Sequence, residues 1–420
     1  MLDKMATILA YGAPALGHLL PVSSLLRELA GRGHDIHLRT MATQVDAGTA
    51  MGFRTAAVDP AIEAIHSRDW TARTVFGVLR MTIDVLCRRA EFEVGDLAAA
   101  IAEVRPDALI IDANCWGAMS AADAGDLPWA VFSPFTPFLR SPGLPPVGPG
   151  MRPRTGPIGV IRDLGVRSVV SAVMDRPMLG RINAIRARVG APAVGSVDEF
   201  LRRAPMMLVV GAEPFEYPHS GWGPRVHLIG ACTGDPRAAE VPDWLARIDD
   251  PIVLVTTSSI RQDDARLGLT ALRALADEPV HVVATFPAGV PDGVEVPPNA
   301  TVRQFVPHGP VLDRAVCAIT HGGMGATLRA LDRSVPVCVV PFGRDQHEVA
   351  MRVAVARCGT RLPAAKLTPQ RLRAEVFEAM TMTDGARRVA DGLAATGGVA
   401  HGADLIEQQL LPSESATLSR

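Results

Sequence analysis

No stretch of 18 consecutive apolar residues flanked as a membrane span occurs in this 420-residue chain, which argues against integral membrane association. The N-terminal MLDKMATILAYGAPALG has an apolar run but neither an arginine-rich start nor a clear small-residue cleavage site. It therefore reads as a first buried strand rather than a signal peptide. A basic excess is missing too. The formal net charge is −2, too little cation to neutralise a phosphate backbone, so general nucleic-acid binding is excluded while a single anionic small molecule is not. The six cysteines, Cys87, Cys115, Cys232, Cys317, Cys338 and Cys358, contain no CxxC pair. Several lie in apolar strand-like runs, which suggests buried thiols in a reducing cytoplasm. The chain also lacks GxxxxGK[ST], DxD and HExxH, and its first strand is followed by GAPALGH rather than GxGxxG, so no P-loop, dinucleotide fingerprint or metal motif is present. Internal repeats of 20 to 50 residues are not evident.

What is present is an ordinary globular composition, 48% apolar and 20% charged, long enough for two or three domains with real cores. The strand ATILAY, the leucine-spaced helix LLPVSSLLRELAGRG and the strand HDIHLRT open a parallel α/β unit. The pattern resumes in LAAAIAEVRP, DALIID and DLPWAVFS. Proline and glycine make 134–165 a loop, 166–204 reads as helical with a break at 190–195, and PMMLVVGA (205–212) reads as the last strand of the first domain. A second series is expected to place strands at 252–257, 280–284, 301–305, 315–319 and 337–341, with helices near 264–276, 324–332, 346–357 and 369–382. The division is thus 1–215 for a first domain, 216–245 for a linker containing VHLIG, 246–395 for a second domain, 396–411 for a helix packing back toward the first, and 412–420 for a disordered tail. Ligands of such α/β domains bind near the C-terminal ends of strands.

The segment AITHGGMGATLRALDRSVPVCVVPFGRDQHEVA, 318–350, carries the sharpest signal. His321, Gly322, Gly323 and Gly325 lie between an apolar strand and a helix. Glycines there let the backbone turn sharply and approach a ligand, and the unpaired N–H groups of a helix start form a natural seat for phosphate. The competing reading is a tight strand–helix turn and nothing more.

Together with RQFVPHGPVL just upstream, GHLLP near the N-terminus and Asp112 at a strand end, this segment resembles the donor-binding signature of GT-B nucleotide-sugar glycosyltransferases. More narrowly, it is similar to bacterial enzymes that glycosylate macrolides, enediynes and other antibiotics. The likeness spans roughly residues 5 to 410. It implies an α/β fold of the GT-B type, two Rossmann-like α/β/α domains facing across a cleft. It also implies that the nucleotide base sits against Gln304–Pro307, with the Phe305 ring stacked and the backbone of Phe305 and Val306 at the base edge. Strand core is the competing role for Phe305. His321, with the amides of Gly322 and Gly323 and the helix start, would meet the donor diphosphate. Asp345 and Gln346 would reach sugar hydroxyls, although Val349 stands where the family often has Asn. Thr257 and Ser258, in the loop Thr256–Ser259, would donate to phosphate or cap the following helix. His18 would be the general base of an inverting displacement, oriented by Asp112. Read singly, His18 could be a surface histidine and Asp112 a cap on the helix near Trp116.

No metal or other cofactor is expected. The co-substrate is a nucleotide sugar, with a dTDP-linked deoxysugar preferred and UDP-sugars left open. The acceptor expected is a hydrophobic aglycone held by Trp70, Phe76, Trp116, Phe135 and Phe138, with core packing as the competing role for each. Aromatics make up only 5% of the chain, so a few rings must serve both needs. A homodimer is left open, and the location expected is cytoplasmic. Two other readings compete with transfer: an inactive homologue that activates a partner enzyme, and a nucleotide-sugar epimerase.

Overall fold

A computed structural model describes residues 5–67, 71, 72, 74–233, 241–258 and 264–411. Trp70, Ser259 and the tail 412–420 lie outside them. The first domain contains β1 (Thr7–Tyr11), α1 (Leu16–Gly31), β2 (Asp35–Thr40), α2 (Val45–Ala50), β3 (Arg54–Ala57), α3 (Pro60–Glu63), α4 (Val75–Val104), β4 (Ala108–Asp112), α5 (Trp116–Ala124), β5 (Trp129–Ser133), α6 (Pro157–Val189), α7 (Val197–Leu201), β6 (Met207–Val209) and β7 (Val226–Leu228). Its sheet has the order β3-β2-β1-β4-β5-β6-β7. The second domain contains α8 (Asp243–Ala246), β8 (Ile252–Thr256), α9 (Ala265–Ala274), β9 (His281–Thr285), β10 (Ala300–Arg303), α10 (His308–Leu312), β11 (Ala315–Thr320), α11 (Met324–Leu331), β12 (Val337–Val339), α12 (Gln346–Ala356), β13 (Gly359–Arg361), α13 (Pro369–Met380), α14 (Thr383–Ala395) and α15 (Gly398–Gln409). Here the order is β10-β9-β8-β11-β12-β13. Every paired strand in both sheets runs parallel.

Parallel strands are covered by helices on both faces, so they must be apolar throughout rather than alternating. ALIID, WAVFS and IVLVT are buried at every position. Each sheet reverses its strand order once beside its first strand, and the crevice at such a reversal is where this kind of sheet binds ligands. In the first sheet β1 lies between β2 and β4, with Tyr11 in register with Ile111. In the second, β8 lies between β9 and β11, with Thr256 opposite Thr320.

Two expectations are corrected. VHLIG, assigned to the linker, supplies β7, which pairs with β6 and extends the first sheet to seven strands. VHLIG does read as a short strand; what the prolines around it concealed is that it belongs to the first sheet rather than to a linker. The loop expected to reach residue 165 ends at Gly156, whose φ of 86° turns the chain into α6, and Pro157 takes the first helical position. Proline is favoured there because its missing N–H would have no intrahelical partner. The same proline was counted toward the loop.

The C-terminal helix lies against the first domain. Arg32, one residue past α1, bonds Asp404 at 2.6 Å and Glu407 at 2.8 Å, and Glu407 also meets His34 at 3.0 Å. All six cysteines are buried and unpaired. Among the described residues no helix is long and apolar enough to cross a membrane.

Candidate active site

The loop leaving β1 enters α1 at Leu16, which puts His18 in the first turn above the carboxyl end of the sheet. Asp112 is the last residue of β4, the neighbouring strand. The two side chains meet although 94 positions separate them: His18 Nδ1 lies 3.0 Å from Asp112 Oδ1 and 2.8 Å from Oδ2. Asp112 is buried, and the Asn114 amide donates to its Oδ1 at 2.8 Å. It does not cap the helix that follows. That role falls to Glu93 of α4, whose buried carboxyl takes the Gly117 amide at 2.7 Å. Burial pushes the Glu93 carboxyl up to about 8.

Burial by itself would lower the His18 pKa. The Asp112 charge and hydrogen bond outweigh burial, and Asp345 adds to them, so the net direction is upward. With Nδ1–H donating to a carboxylate, Nε2 is left with a lone pair, the arrangement of a general base. Asp345 belongs to the other domain, so its influence on His18 ties the two halves of the site across the cleft. Burial holds the Asp345 carboxyl above its ordinary range, opposed by the charges of His18 and Arg344.

On the opposite wall, β11 ends at Thr320 and α11 begins at Met324, with His321–Gly323 between. Gly322 has φ of 92°, and a Cβ there would lie 3.0 Å from Val339 and Gln346 side-chain atoms. At Gly323 a Cβ would come within 2.6 Å of His321 Nε2. Gly322 is therefore required by the turn itself, while a side chain at Gly323 would have to displace the His321 ring. The space beside Gly325 is open. The Gly322 amide donates to the Thr320 hydroxyl at 3.1 Å, which corrects its expected role at the diphosphate. Intrahelical bonding starts with Thr327 N, which donates to the Gly323 carbonyl. The amides ahead of it in the first turn have no partner inside the helix, the usual condition of a helix start. His321 is buried, its Nδ1 has no hydrogen-bond partner among the described residues and sits 3.9 Å from Asp264 Oδ2, and burial lowers its pKa. An imidazole whose charged form burial disfavours thus stands beside the helix start.

Thr257 and Ser258 are both buried. The Thr257 hydroxyl donates to the Thr285 carbonyl at 3.3 Å, and the Ser258 amide donates to Asp264. The Thr257 hydroxyl is thus committed within the protein. Gln346 is 2% exposed, and its Oε1 takes the amides of Phe342 at 2.8 Å and Gly343 at 3.1 Å. It braces the loop that carries Asp345, so its carbonyl oxygen is not offered to a sugar. Val349 is core. Phe305 lies past the end of β10 and is 72% exposed, while Val306 is buried. An exposed ring beside a buried neighbour is available for stacking, and the core alternative for Phe305 fails.

The aromatic set divides. The Phe135 ring lies 5.6 Å from the His18 ring, and Phe138 lies 6.3 Å from Phe135. Phe76, in the first turns of α4, is partly exposed. Trp116 is corrected: it is 1% exposed, packs edge-on against Phe200 at 5.6 Å, and its indole N–H bonds the Ala113 carbonyl. It sits at the start of α5 facing inward, so it is core and not lining. Among the described residues no group of three or more His, Cys, Asp or Glu side chains could hold a metal ion. The residues that sequence reasoning missed are Glu93 and the buried trio Glu216, Glu348 and Arg352. As sequence, Glu348 and Arg352 form only an i,i+4 pair, the pattern of an exposed helix face.

Comparison with known proteins finds relatives over nearly the whole chain. Residues 269–401 match the family described as erythromycin biosynthesis protein CIII-like, C-terminal domain. The 4'-demethylrebeccamycin synthase of Lentzea aerocolonigenes is 28% identical, over 96% of this chain and 99% of its own. The solved glycotransferase of kitacinnamycin superposes with a TM-score of 0.76 at 25% identity, covering 98% of this chain and all of that one, 100%. The glycosyltransferase VinC, solved in complex with dTDP, gives 0.70 at 21% identity over 96% of this chain and 98% of its own, a likeness of fold. The fold is GT-B, the second half carries a CIII-like C-terminal domain, and the chain stands among sugar transferases of the antibiotic-biosynthesis type.

Proposed function

We propose that the protein is an inverting, nucleotide-sugar-dependent glycosyltransferase that moves a sugar, preferentially a deoxysugar on dTDP, to a hydroxyl of a hydrophobic natural-product aglycone. The observation that carries this reading is the hydrogen-bonded His18–Asp112 pair in one domain, with Asp345 of the other within electrostatic reach.

An acceptor hydroxyl between His18 Nε2 and the anomeric carbon gives its proton to the imidazole as its oxygen attacks. The bond from that carbon to the diphosphate oxygen breaks on the opposite face, so the configuration inverts. Asp112 stabilises the imidazolium that forms. General-base help of this kind is worth about 10² to 10⁴ in rate. On the leaving side, negative charge grows on the departing diphosphate. Donors aimed at it, here the His321 imidazole and the amides of Gly323 and the first turn of α11, favour the transition state over the ground state. Phe305 stacks on the base and Asp345 accepts from sugar hydroxyls. Phe135, against His18, offers the apolar face that an aglycone needs. A dTDP-bound neighbour of the same fold supports the choice of nucleotide.

The test is turnover with dTDP- and UDP-sugars against a panel of polycyclic and macrocyclic alcohols, with product configuration read by NMR. H18A should lose about 10²-fold or more in kcat while dTDP affinity stays unchanged. H321A should weaken both affinity and rate. Full activity in H18A, or retained configuration in the product, would overturn this mechanism.

A further inference from the structure

The two domains are joined by a buried set of charges that plays no part in the chemistry above. Glu348, in the first turn of α12, is 4% exposed, and its Oε1 accepts the amides of Gly148 at 2.8 Å and Gly150 at 2.7 Å from the first domain. Its other oxygen meets Arg352 at 2.7 Å. Arg352 is 1% exposed, and its other nitrogens reach Glu216, in the connection between β6 and β7 of the first domain, at 2.7 and 2.8 Å. Glu216 is held in turn by the Thr136 hydroxyl at 2.7 Å and His219 at 2.9 Å. The contact is close at the backbone as well: a Cβ on Gly150 would fall 2.3 Å from the His347 carbonyl oxygen.

Buried ion pairs are poor stabilisers, because desolvation offsets most of their attraction, and their best-attested use is to fix one arrangement among several. The arrangement fixed here is the position of the first turn of α12 against the first domain. That turn begins with Gln346, which braces the loop bearing Asp345.

Resting on the transferase reading above, we propose that Glu348 and Arg352 are positioning residues. Their clamp on the Gly148–Gly150 turn sets Asp345 opposite His18 before substrate arrives, so the sugar subsite and the base belong to one preformed unit.

The experiment compares the full-length wild type with E348A, E348Q and G150A. G150A disturbs the clamp by steric contact and leaves every buried charge in place. Domain spread is read by small-angle scattering, dTDP affinity by calorimetry, and sugar transfer by kinetics. The donor contacts proposed above, Phe305, His321 and the start of α11, all belong to the second domain, so dTDP affinity should stay within about two-fold in each variant. E348A and G150A should lower kcat/KM for the sugar nucleotide about 10- to 100-fold and increase the domain spread. E348Q keeps an oxygen for the two amides and should fall between E348A and wild type. Wild-type kinetics and scattering in a folded E348A overturn the proposal. If E348A does not fold, the same result in G150A overturns it. If the wild type transfers no sugar from any donor, the transferase reading fails, and the scattering of G150A still decides whether the clamp sets domain spread.

Discussion

Replacing Asp112 by asparagine tests the proton path, and the structure says which way each quantity must move. The Asn114 amide donates to Oδ1, and Oδ2 lies 2.8 Å from His18 Nδ1. In D112N the side-chain carbonyl keeps the Oδ1 position to accept from Asn114, which puts the amide NH₂ against Nδ1. A donor facing Nδ1 favours the tautomer protonated at Nε2, the nitrogen that must accept the acceptor's proton. Loss of a charge-assisted hydrogen bond alone is worth about 1.5–3 kcal/mol, or about 10- to 150-fold in rate. The wrong tautomer adds to this, and in serine-protease triads the same exchange reaches about 10⁴-fold. The expected drop in kcat for D112N is therefore about 10² to 10⁴.

The pH dependence supplies an independent check. Asp112 raises the His18 pKa against the lowering effect of burial. The base works when neutral, so the acid limb of kcat/KM in the wild type lies above the ordinary histidine value of about 6.5. Without the carboxylate, burial and the Arg344 charge lower the pKa against Asp345 alone, and the limb moves to lower pH. The same pair links to stability. A folded-state pKa above the unfolded one contributes stability that is complete below the unfolded pKa and lost as pH rises through the folded one. D112N should therefore cost more stability at acid pH than at pH 8. Stopped-assay kinetics from pH 5 to 9 with parallel thermal melts measure all three. A kcat within ten-fold of wild type, or an acid limb that moves upward, would refute the orienting role of Asp112.

Three further outcomes follow from the same geometry. Phe305 is 72% exposed, so F305A should leave the melting temperature unchanged and weaken dTDP binding by the cost of one stacked base, about 1–3 kcal/mol; calorimetry reads this directly. Trp116 is core, so W116A should lose about 3–5 kcal/mol of stability in chemical denaturation with no selective rise in acceptor KM. Glu216 is pulled down to about 2 against the cost of burial by Arg352 and His219; its stabilisation is present above the unfolded pKa of about 4.3 and lost as pH falls toward about 2, so E216Q should flatten the acid limb of the stability profile.

The strands were legible because parallel strands buried on two faces leave continuous apolar runs, as in IVLVT and AVCAIT; the order in which they pair was not, because it is set by contacts between segments far apart in the chain. The His–Gly–Gly–x–Gly turn was legible for a physical reason at one position: the positive φ of Gly322 strains any residue with a side chain, and a side chain at Gly323 would displace the His321 ring. What the residues could not disclose was commitment. Thr257, Gln346 and the Gly322 amide have the right chemistry for a ligand, yet each is bonded inside the protein, Thr257 to distant Thr285, Gln346 to the loop before it and Gly322 to the Thr320 hydroxyl two residues back. Residue type records the capacity to donate or accept, and only packing records whether that capacity is spent.

The same asymmetry explains why Glu348 and Arg352 escaped notice. A Glu and an Arg four apart on a helix predict a solvated face, and the pattern is identical when that face is pressed against another domain. What distinguishes the two cases lies on the opposite chain: two glycine amides at Gly148 and Gly150, with φ of 124° and 63°, bent so that both N–H groups reach one carboxylate oxygen. In the sequence those glycines belong to a proline- and glycine-rich stretch that reads as loop, and loops are expected on the surface. A loop of that composition that is buried must have its amides satisfied, and a carboxylate from the facing domain satisfies two at once. The Pro/Gly-rich segment is thus one part of the first domain's contact with the second, beside Glu216, and on the clamp proposal a turn that contributes no side chain to the chemistry sets the position of Asp345.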